Sequence, residues 1–453
     1  MTFIREHSMS NRSRRKAQKD ILLLCLYYRP ESKATAVLAG ETMEALAGQG
    51  FSVDVFCGCP KDLAGQESGA KLPANETVGR VNVKRLRYAS FRSKNAFARL
   101  ANYFGFYFSC LLRVFSFRNY AAVVSYSNPP MVTNLLNTAA RLFGCKTVFI
   151  VHDAYPEIAI KTGSCSGNGI MAAAMRRINK KLFRRLDRLV CLSDEMRDFF
   201  INERHFPPDK VAVIPNWHRD LMGSEPADCS ANGSINDSGS GSGSGFSGSG
   251  PGSGFSGSGP ACSAESAEFV CGYFGNMGVC QDMETPVKGI LSMKNEPGVR
   301  FVLAGDGTKF DRVKDALGGS ENASVRGFLT GAEYGKALQE CGCLVVSLCE
   351  GLAGYCAPSK FYSYLMAGKP VIVISDGKDM ARDIGNYNCG FVVKNGDAEG
   401  FCAAVNRLKN DRKLAAQMGL NARRCYLENY TGRESKEKYA ELFKELLSDR
   451  EAE

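Results

Sequence analysis

The sequence predicts an α/β protein of two doubly wound, Rossmann-like halves facing a central cleft. Three observations predict it. Short apolar, strand-like runs alternate with helix-period segments in both halves of the chain, and a Gly/Ser tract breaks that rhythm once near the middle. The length of 453 residues, 44% of them apolar, exceeds one ordinary core but suits two of roughly 200 residues each.

In chain order, residues 1–19 hold six basic residues against one Glu, half of the formal net charge of +10, and are expected to form a disordered basic arm. The apolar run 21–26 imitates a signal peptide. It leads, however, into Tyr27-Tyr28-Arg29-Pro30-Glu31 without a small-residue cleavage site, so a first buried strand over 21–28 is expected instead. A helix around 34–47 and strands near 52–56, 121–126, 146–151 and 188–192 complete a first domain over 20–218.

Two basic segments stand out within it. Between Val81 and Arg118 there are eight Lys or Arg and no acid, with an aromatic cluster that includes Phe97, Tyr103, Phe104, Phe106, Tyr107, Phe108, Phe115 and Phe117. The uncharged stretch 100–112 at its centre is too short to cross a bilayer, for which about eighteen residues are needed. It suits the interface between lipid and water, or a core helix with basic ends. Arg176, Arg177, Lys180, Lys181, Arg184, Arg185 and Arg188 fall on two adjacent helical stripes, a face for anionic headgroups or simply for solvent. No nucleic-acid motif accompanies the charge, so no nucleic-acid partner is expected.

From Ser238 to Gly259 the chain is Gly and Ser apart from Phe246, Phe255 and Pro251, and one nonapeptide occurs twice in tandem, at 243–251 and 252–260. Such a tract buries too little to offset its ordering entropy, so 219–267 is read as a flexible linker whose Gly/Ser core spans roughly 25 Å. Its formal match to a dinucleotide fingerprint, starting at Gly243, lacks a preceding strand and a following helix and is spurious. Strand-like runs resume at 269–274, 299–304, 323–327, 343–348, 370–374 and 390–393, giving a second Rossmann-like domain over 268–432 and a terminal helix over 433–453 that is free to cross back to the first domain.

The eighteen cysteines scatter through strands and helices and read as thiols of a reducing compartment; Cys57-Gly-Cys59 and Cys341-Gly-Cys343 lack the spacing of a zinc or redox motif. No Asp-x-Asp pair occurs, and no metal site or cofactor is expected.

Ligands of open parallel sheets bind beyond the carboxyl ends of strands, which directs attention to two stretches. The run 269–274 enters Gly275-Asn276-Met277-Gly278, where glycines let backbone amides approach an anion. Ala304-Gly305-Asp306-Gly307 is a second, less specific strand end. Further on, Pro358 and Ser359 suit a helix start and Gly368 its C-terminal cap, so Lys360 lies in the first turn, where a cation opposes the helix dipole. An anionic diphosphate at that terminus would account for it.

Pro358-Ser359-Lys360, the aromatic turn after it and Ala367-Gly368-Lys369-Pro370-Val371 resemble the donor-site helix of GT-B retaining glycosyltransferases of family 4, in particular enzymes similar to colanic-acid and O-antigen fucosyl or N-acetylfucosaminyl transferases. The resemblance extends to Tyr28-Arg29-Pro30-Glu31 as a first loop, His152-Asp153-Ala154-Tyr155-Pro156-Glu157 as an acidic loop at the cleft, Ile214-Pro215-Asn216-Trp217 as the exit from the first domain and 275–278 as a phosphate loop. The sequence departs from it where many relatives carry two glutamates eight positions apart: Tyr355 and Ser363 occupy those places, and Glu350 is the only nearby acid.

The resemblance implies a hexosyltransferase-type enzyme that moves a sugar, with retention, from a nucleotide sugar to a saccharide or polyprenyl-linked acceptor in surface polysaccharide or glycan synthesis. It would work at the cytoplasmic face of an anionic membrane as a peripheral protein. Gly275, Asn276, Met277, Gly278, Glu350, Pro358, Ser359, Lys360 and Ser363 are then the donor-binding residues. Asp153, His152 and Lys360 are the catalytic candidates: Lys360 on the diphosphate, Asp153 on the acceptor or the anomeric centre. Asp153 has an alternative as a helix N-cap, and His152 as a packed core histidine. Two other functions compete, a catalytically silent nucleotide-sugar-binding or partner subunit and a sugar-nucleotide epimerase; four histidines in the whole chain leave the epimerase short of acid-base groups.

Overall fold

The computed structural model describes residues 17–31, 33–59, 72–88, 96–218 and 268–452. The basic arm before residue 17 and the Gly/Ser linker lie outside the described residues.

The first half is an eight-stranded sheet formed by β1 (Lys19–Cys25), β2 (Val53–Gly58), β3 (Asn75–Val78), β4 (Val81–Leu86), β5 (Tyr120–Tyr126), β6 (Lys146–Ile150), β7 (Arg188–Cys191) and β8 (Val211–Val213). Its order is β3-β4-β2-β1-β5-β6-β7-β8, parallel throughout except for β3. Helices α1 (Ala34–Gly48), α2 (Ala96–Leu111), α3 (Thr133–Phe143), α4 (Glu157–Lys161), α5 (Ile170–Phe183) and α6 (Asp194–Asp198) connect and cover the strands.

The second half is a six-stranded, wholly parallel sheet of β9 (Phe269–Phe274), β10 (Val299–Ala304), β11 (Ala323–Arg326), β12 (Cys343–Ser347), β13 (Val371–Ile374) and β14 (Gly390–Val393), in the order β11-β10-β9-β12-β13-β14. It carries α7 (Glu284–Ser292), α8 (Phe310–Leu317), α9 (Gly331–Glu340), α10 (Ser359–Met366), α11 (Lys378–Tyr387), α12 (Ala398–Asn410), α13 (Arg412–Asn429) and α14 (Gly432–Ala452). In each half the first strand lies inside the sheet and the chain reverses its winding beside it, at β1/β5 and β9/β12, which opens a crevice at the carboxyl ends.

The alternating direction of strand side chains explains the two-faced cores. Along β1, Ile21, Leu23 and Cys25 enter one cluster, with α1, while Leu22 and Leu24 enter the other, with Phe106 of α2 and Leu135 and Leu136 of α3. The first of these clusters is completed from the far end of the chain: Tyr439, Ala440, Leu442, Phe443 and Leu446 of α14 pack against α1 and β2. Each such side chain contributes roughly 1.5–3 kcal/mol by leaving water, so α14 binds the two halves together strongly. Polar contacts fix its approach: Ser435 Oγ donates to Pro215 O at 3.1 Å and Arg188 meets Glu445 at 2.6 Å.

The structure amends several expected elements. The run at 21–28 pairs only as far as Cys25, and Tyr27 and Tyr28 follow it outside the strand, Tyr28 buried in the first core cluster. The hairpin β3–β4 and the short β8 were not anticipated. Asn75 and Glu76 are poor strand formers, and the polarity of Asn75 to Thr77 suits an edge rather than a core. Arg176, Arg177, Lys180, Lys181, Arg184 and Arg185 are exposed along α5 and its C-terminal turn. Among the described residues no helix is long and apolar enough to cross a membrane.

Candidate active site

Strand β9 ends in a loop that only glycine allows. Gly275 has φ +118°, and a Cβ there would come within 2.9 Å of the Lys360 side chain. The neighbouring loop after β10 interlocks with it: a Cβ on Gly305 would lie 1.9 Å from the Gly275 carbonyl, and one on Gly307, at φ +123°, would strike the Asn276 side chain. The two glycine turns noted in the sequence thus form one cradle. Its amides are largely occupied. Gly275 N donates to Ala304 O, Met277 N to Asp306 O at 2.6 Å, and Gly278 N to Gln281 Oε1 at 2.9 Å. The expectation that the amides around Asn276 and Gly278 hold the diphosphate is corrected to this extent: Met277 and Gly278 already have acceptors, and an anion reaches the Gly278 amide only if Gln281 moves.

Lys360 enters the cradle from α10. Pro358 is the N-cap residue, extended at φ −73° and ψ 108°, and no side chain caps the helix. Ser359 is exposed at the first helical position, and Lys360, the second, reaches back to donate to Asn276 O at 2.9 Å, with its ammonium 5.0 Å from the centre of the Tyr273 ring. Crowding by protein atoms pushes its pKa down to about 8. Tyr273 steadies the same carbonyl, its hydroxyl donating to Asn276 O at 2.9 Å.

The first half contributes the end of β6. Ser127 Oγ accepts from both the His152 and Asp153 amides, at 3.1 and 3.0 Å, and so sets the turn. Asp153 then forms a backbone bridge with Cys356, and Ala154 N donates to Tyr355 O at 2.8 Å, which ties the halves together at the cleft. Burial raises the Asp153 pKa to about 6. Among the described residues no side chain donates to this carboxylate. Its N-cap alternative is overturned, since Pro156 caps α4. His152 packs edge-on against Tyr126, ring centres 4.8 Å apart, and burial lowers its pKa to about 4, so it is a neutral ring at physiological pH. The bridge sets Asp153 opposite Cys356, two residues before Pro358 at the start of α10. An acid of the first half and the helix that carries Lys360 therefore meet at one spot in the cleft.

Two sequence candidates stand apart from that spot. Ser363 is buried, donating to Lys360 O and meeting the Tyr334 hydroxyl at 3.0 Å; it braces α10 from behind rather than facing a ligand. Glu350 is exposed on the loop after β12, beside Gly351, and is placed at the cleft mouth rather than in the cradle.

Sequence reasoning missed the clamp across the seam. Glu195 accepts from the amides of Lys378 and Asp379 at 2.8 and 3.1 Å, while Asp379 accepts from the amide of Glu195 at 2.8 Å. Each acid thus caps the other's helix, α11 and α6. Arg382 adds ion pairs to Asp194 at 2.8 Å and Asp379 at 3.2 Å. The one local signal was acids in the first turns after β7 and β13. A cavity of 290 Å³ lies between this clamp and α10. Among the described residues no group of His, Cys, Asp or Glu is placed to hold a metal ion.

Comparison with known proteins agrees with this architecture. Residues 34–217 match the family described as "Glycosyl transferase 4-like domain", and residues 287–425 match "Glycosyl transferases group 1". The chain is similar to the probable glycosyltransferase WbjE of Pseudomonas aeruginosa, 25% identical over 332 residues that cover 72% of this chain and 75% of that protein. Among solved structures it resembles Anabaena HepE in complex with UDP-glucose, with TM-score 0.61, 13% identity and coverage of 94% of this chain and 100% of that one. It also resembles WaaG, a glycosyltransferase involved in lipopolysaccharide biosynthesis, with TM-score 0.62, 14% identity and coverage of 93% and 99%.

Proposed function

Since the chain is a glycosyltransferase of GT-B fold, family 4-like in its first half and group 1 in its second, we propose that it transfers a hexose-type sugar, with retention, from a nucleoside-diphosphate sugar to a saccharide carried on a polyprenyl lipid. The product is a surface polysaccharide or glycan precursor, made at the inner face of a membrane. The observation that carries this reading is the convergence of Lys360 and the uncapped start of α10 on the cradle after β9, with Asp153 of the other half bridged to Cys356, two residues before that start.

Transfer requires a departing diphosphate to be stabilised while positive charge develops at the anomeric carbon. Lys360 meets the first requirement through a charge-assisted bond, helped by the free amides of the α10 terminus. Asp153 meets the second. Its ionised form is attracted by the developing oxocarbenium charge and by the acceptor hydroxyl dipole. His152, neutral and packed, positions the turn and takes no proton. The acceptor proton passes to the leaving phosphate, so the reaction needs neither a strong base nor a metal ion. WaaG's part in lipopolysaccharide synthesis and the UDP-glucose in HepE support the choice of donor and product class. The exposed aromatic stripe of α2 supports the membrane setting.

The test is a transfer assay with UDP, GDP, ADP and dTDP sugars and a short polyprenyl-diphosphate saccharide, with the product anomer read by NMR. Retained configuration is expected. Inversion, or nucleotide-sugar binding without turnover of any donor, overturns the reading.

A further inference from the structure

A cavity of 610 Å³ lies on the outer edge of the first sheet, between the β3–β4 hairpin and the turn that follows α2. It opens where β2 and β5 begin, at Asp54 and Tyr120, whereas the candidate active site lies where strands end, so the two are separate. Its electrostatics are one-sided. Asp54 is satisfied within the protein, by Lys19 at 2.6 Å, the Tyr120 hydroxyl at 2.6 Å and Asn82 at 3.0 Å, and these bonds hold its pKa low. Glu76 is paired with Arg85. Lys84 and Arg113 also line the cavity, and among the described residues neither meets a carboxylate: Lys84 lies 5.7 Å from the Phe56 ring centre and Arg113 donates to Ser109 O. The two lining carboxylates, Asp54 and Glu76, are each neutralised by a cation from outside the lining, Lys19 and Arg85, which leaves Lys84 and Arg113 as the charges the groove offers a ligand.

The rim is apolar and exposed. Leu112 is 84% exposed and Phe115 70%, and the same stripe continues up α2 through Phe108 and Phe104 at helical spacing. The first described residues lie at this face as well: Gln18 N donates to Asn119 O at 3.0 Å, next to Tyr120 of the groove. A positive pocket behind a protruding apolar edge fits a molecule with an anionic head and an apolar tail.

We propose that this groove binds the phosphate headgroup of an anionic membrane phospholipid, with Lys84 and Arg113 on the phosphate and Leu112 and Phe115 among the acyl chains. The inference rests on the membrane setting proposed above. Arg113 offers a planar pair of donors and Lys84 a point charge, a combination suited to a phosphodiester. Headgroup capture would fix the rotation of the first half on the bilayer and hold the cleft at a set height over a lipid-borne acceptor.

The experiment uses the full chain, sedimentation with phosphatidylcholine vesicles with and without phosphatidylglycerol, and calorimetric titration with dihexanoylphosphatidylglycerol below its micelle concentration. The wild type is expected to bind the short-chain lipid saturably at one site. K84Q and R113Q are each expected to weaken it about 5-fold and together about 25-fold. Equal unfolding temperatures guard against misfolding. Inorganic phosphate should fail to displace the lipid; displacement by phosphate alone would overturn the proposal in favour of a simple anion site. If the double variant takes up the short-chain lipid as the wild type does, yet both sediment with vesicles, the groove is refuted and the membrane setting stands. If nothing sediments with any vesicle, the membrane setting itself fails, and this inference with it.

Discussion

The substitution Asp153→Asn should make the protein more stable and less active at neutral pH. An acid usually gains from folding, but here burial raises the pKa from 3.8 to about 6, so the sign is reversed. Between those values the native state holds a proton that the unfolded state has lost, and stability falls as pH rises through that window. Above it the penalty is complete, roughly 3 kcal/mol at about 1.4 kcal/mol per pH interval. That is an upper figure, because the residue is only partly shielded from solvent. The uncharged amide side chain of the variant avoids the penalty. Urea unfolding at pH 7 should therefore show the variant more stable by up to about 3 kcal/mol, and at pH 4 the advantage should be almost gone. Transfer should fall by about 10²–10³, the scale of losing one preorganised electrostatic partner of a transition state. The wild-type rate should decline on the acid side with a midpoint near 6, and the variant's residual rate should lack that limb. A variant that transfers sugar normally, or whose stability tracks the wild type at both pH values, would refute the assignment of a buried, working carboxylate at this position.

Three further outcomes are expected. Lys360→Ala should lower kcat/KM for the donor by about 10- to 150-fold, the loss of one charge-assisted bond of about 1.5–3 kcal/mol, with Lys360→Arg recovering part of it; wild-type donor KM should rise above pH 8 as the ammonium deprotonates. Glu195→Ala and Asp379→Ala should each cost the closed form about 0.5–2 kcal/mol and raise donor KM about 2- to 30-fold, and the double variant should cost less than the sum because the caps are reciprocal; scattering profiles without and with donor would show the more open state, and unchanged profiles would contradict a clamp. Chelation with EDTA should leave the transfer rate unchanged, and a loss restored by a divalent cation would show that the diphosphate needs a metal.

The architecture was legible because its strands are buried on both faces, so apolar runs such as Ile21 to Cys25 and Phe269 to Phe274 stand out as unbroken blocks. The polar hairpin at 75–86 escaped for the opposite reason: its edge strand presents Asn75 and Thr77 to solvent and carries no strong hydrophobic period. In the site, Gly275 and Lys360 were readable from local oddities, a glycine at a strand end and a cation in a helix's first turn. Ser363 was not, since whether a helical residue faces a ligand or the core depends on which stripe α10 buries, and here Phe361 to Met366 are buried on every side. Gln281's occupation of the Gly278 amide is a side-chain choice within one loop. The clamp joins Glu195 to residues 183 and 184 positions away, and no local pattern encodes a pairing at that distance.

The clamp also bears on why α10 is the expected anion site. Helices α6, α10 and α11 all begin at the seam, and each start concentrates unpaired amides and about half a positive charge. Two of the three are neutralised from across the seam, α11 by Glu195 and α6 by Asp379. The third has an extended proline at its cap, no side-chain acceptor, and a lysine at its second position that adds to the positive end. A seam built wholly for cohesion would place an acid there too, as it does twice elsewhere. Leaving one start uncapped makes closure incomplete without an external anion, and a diphosphate entering beside Lys360 supplies the interaction that Glu195 and Asp379 supply at their own helices. On the proposed function, donor binding and domain closure would then favour each other, because a ligand can meet α10 and Asp153 together only when the halves are in contact.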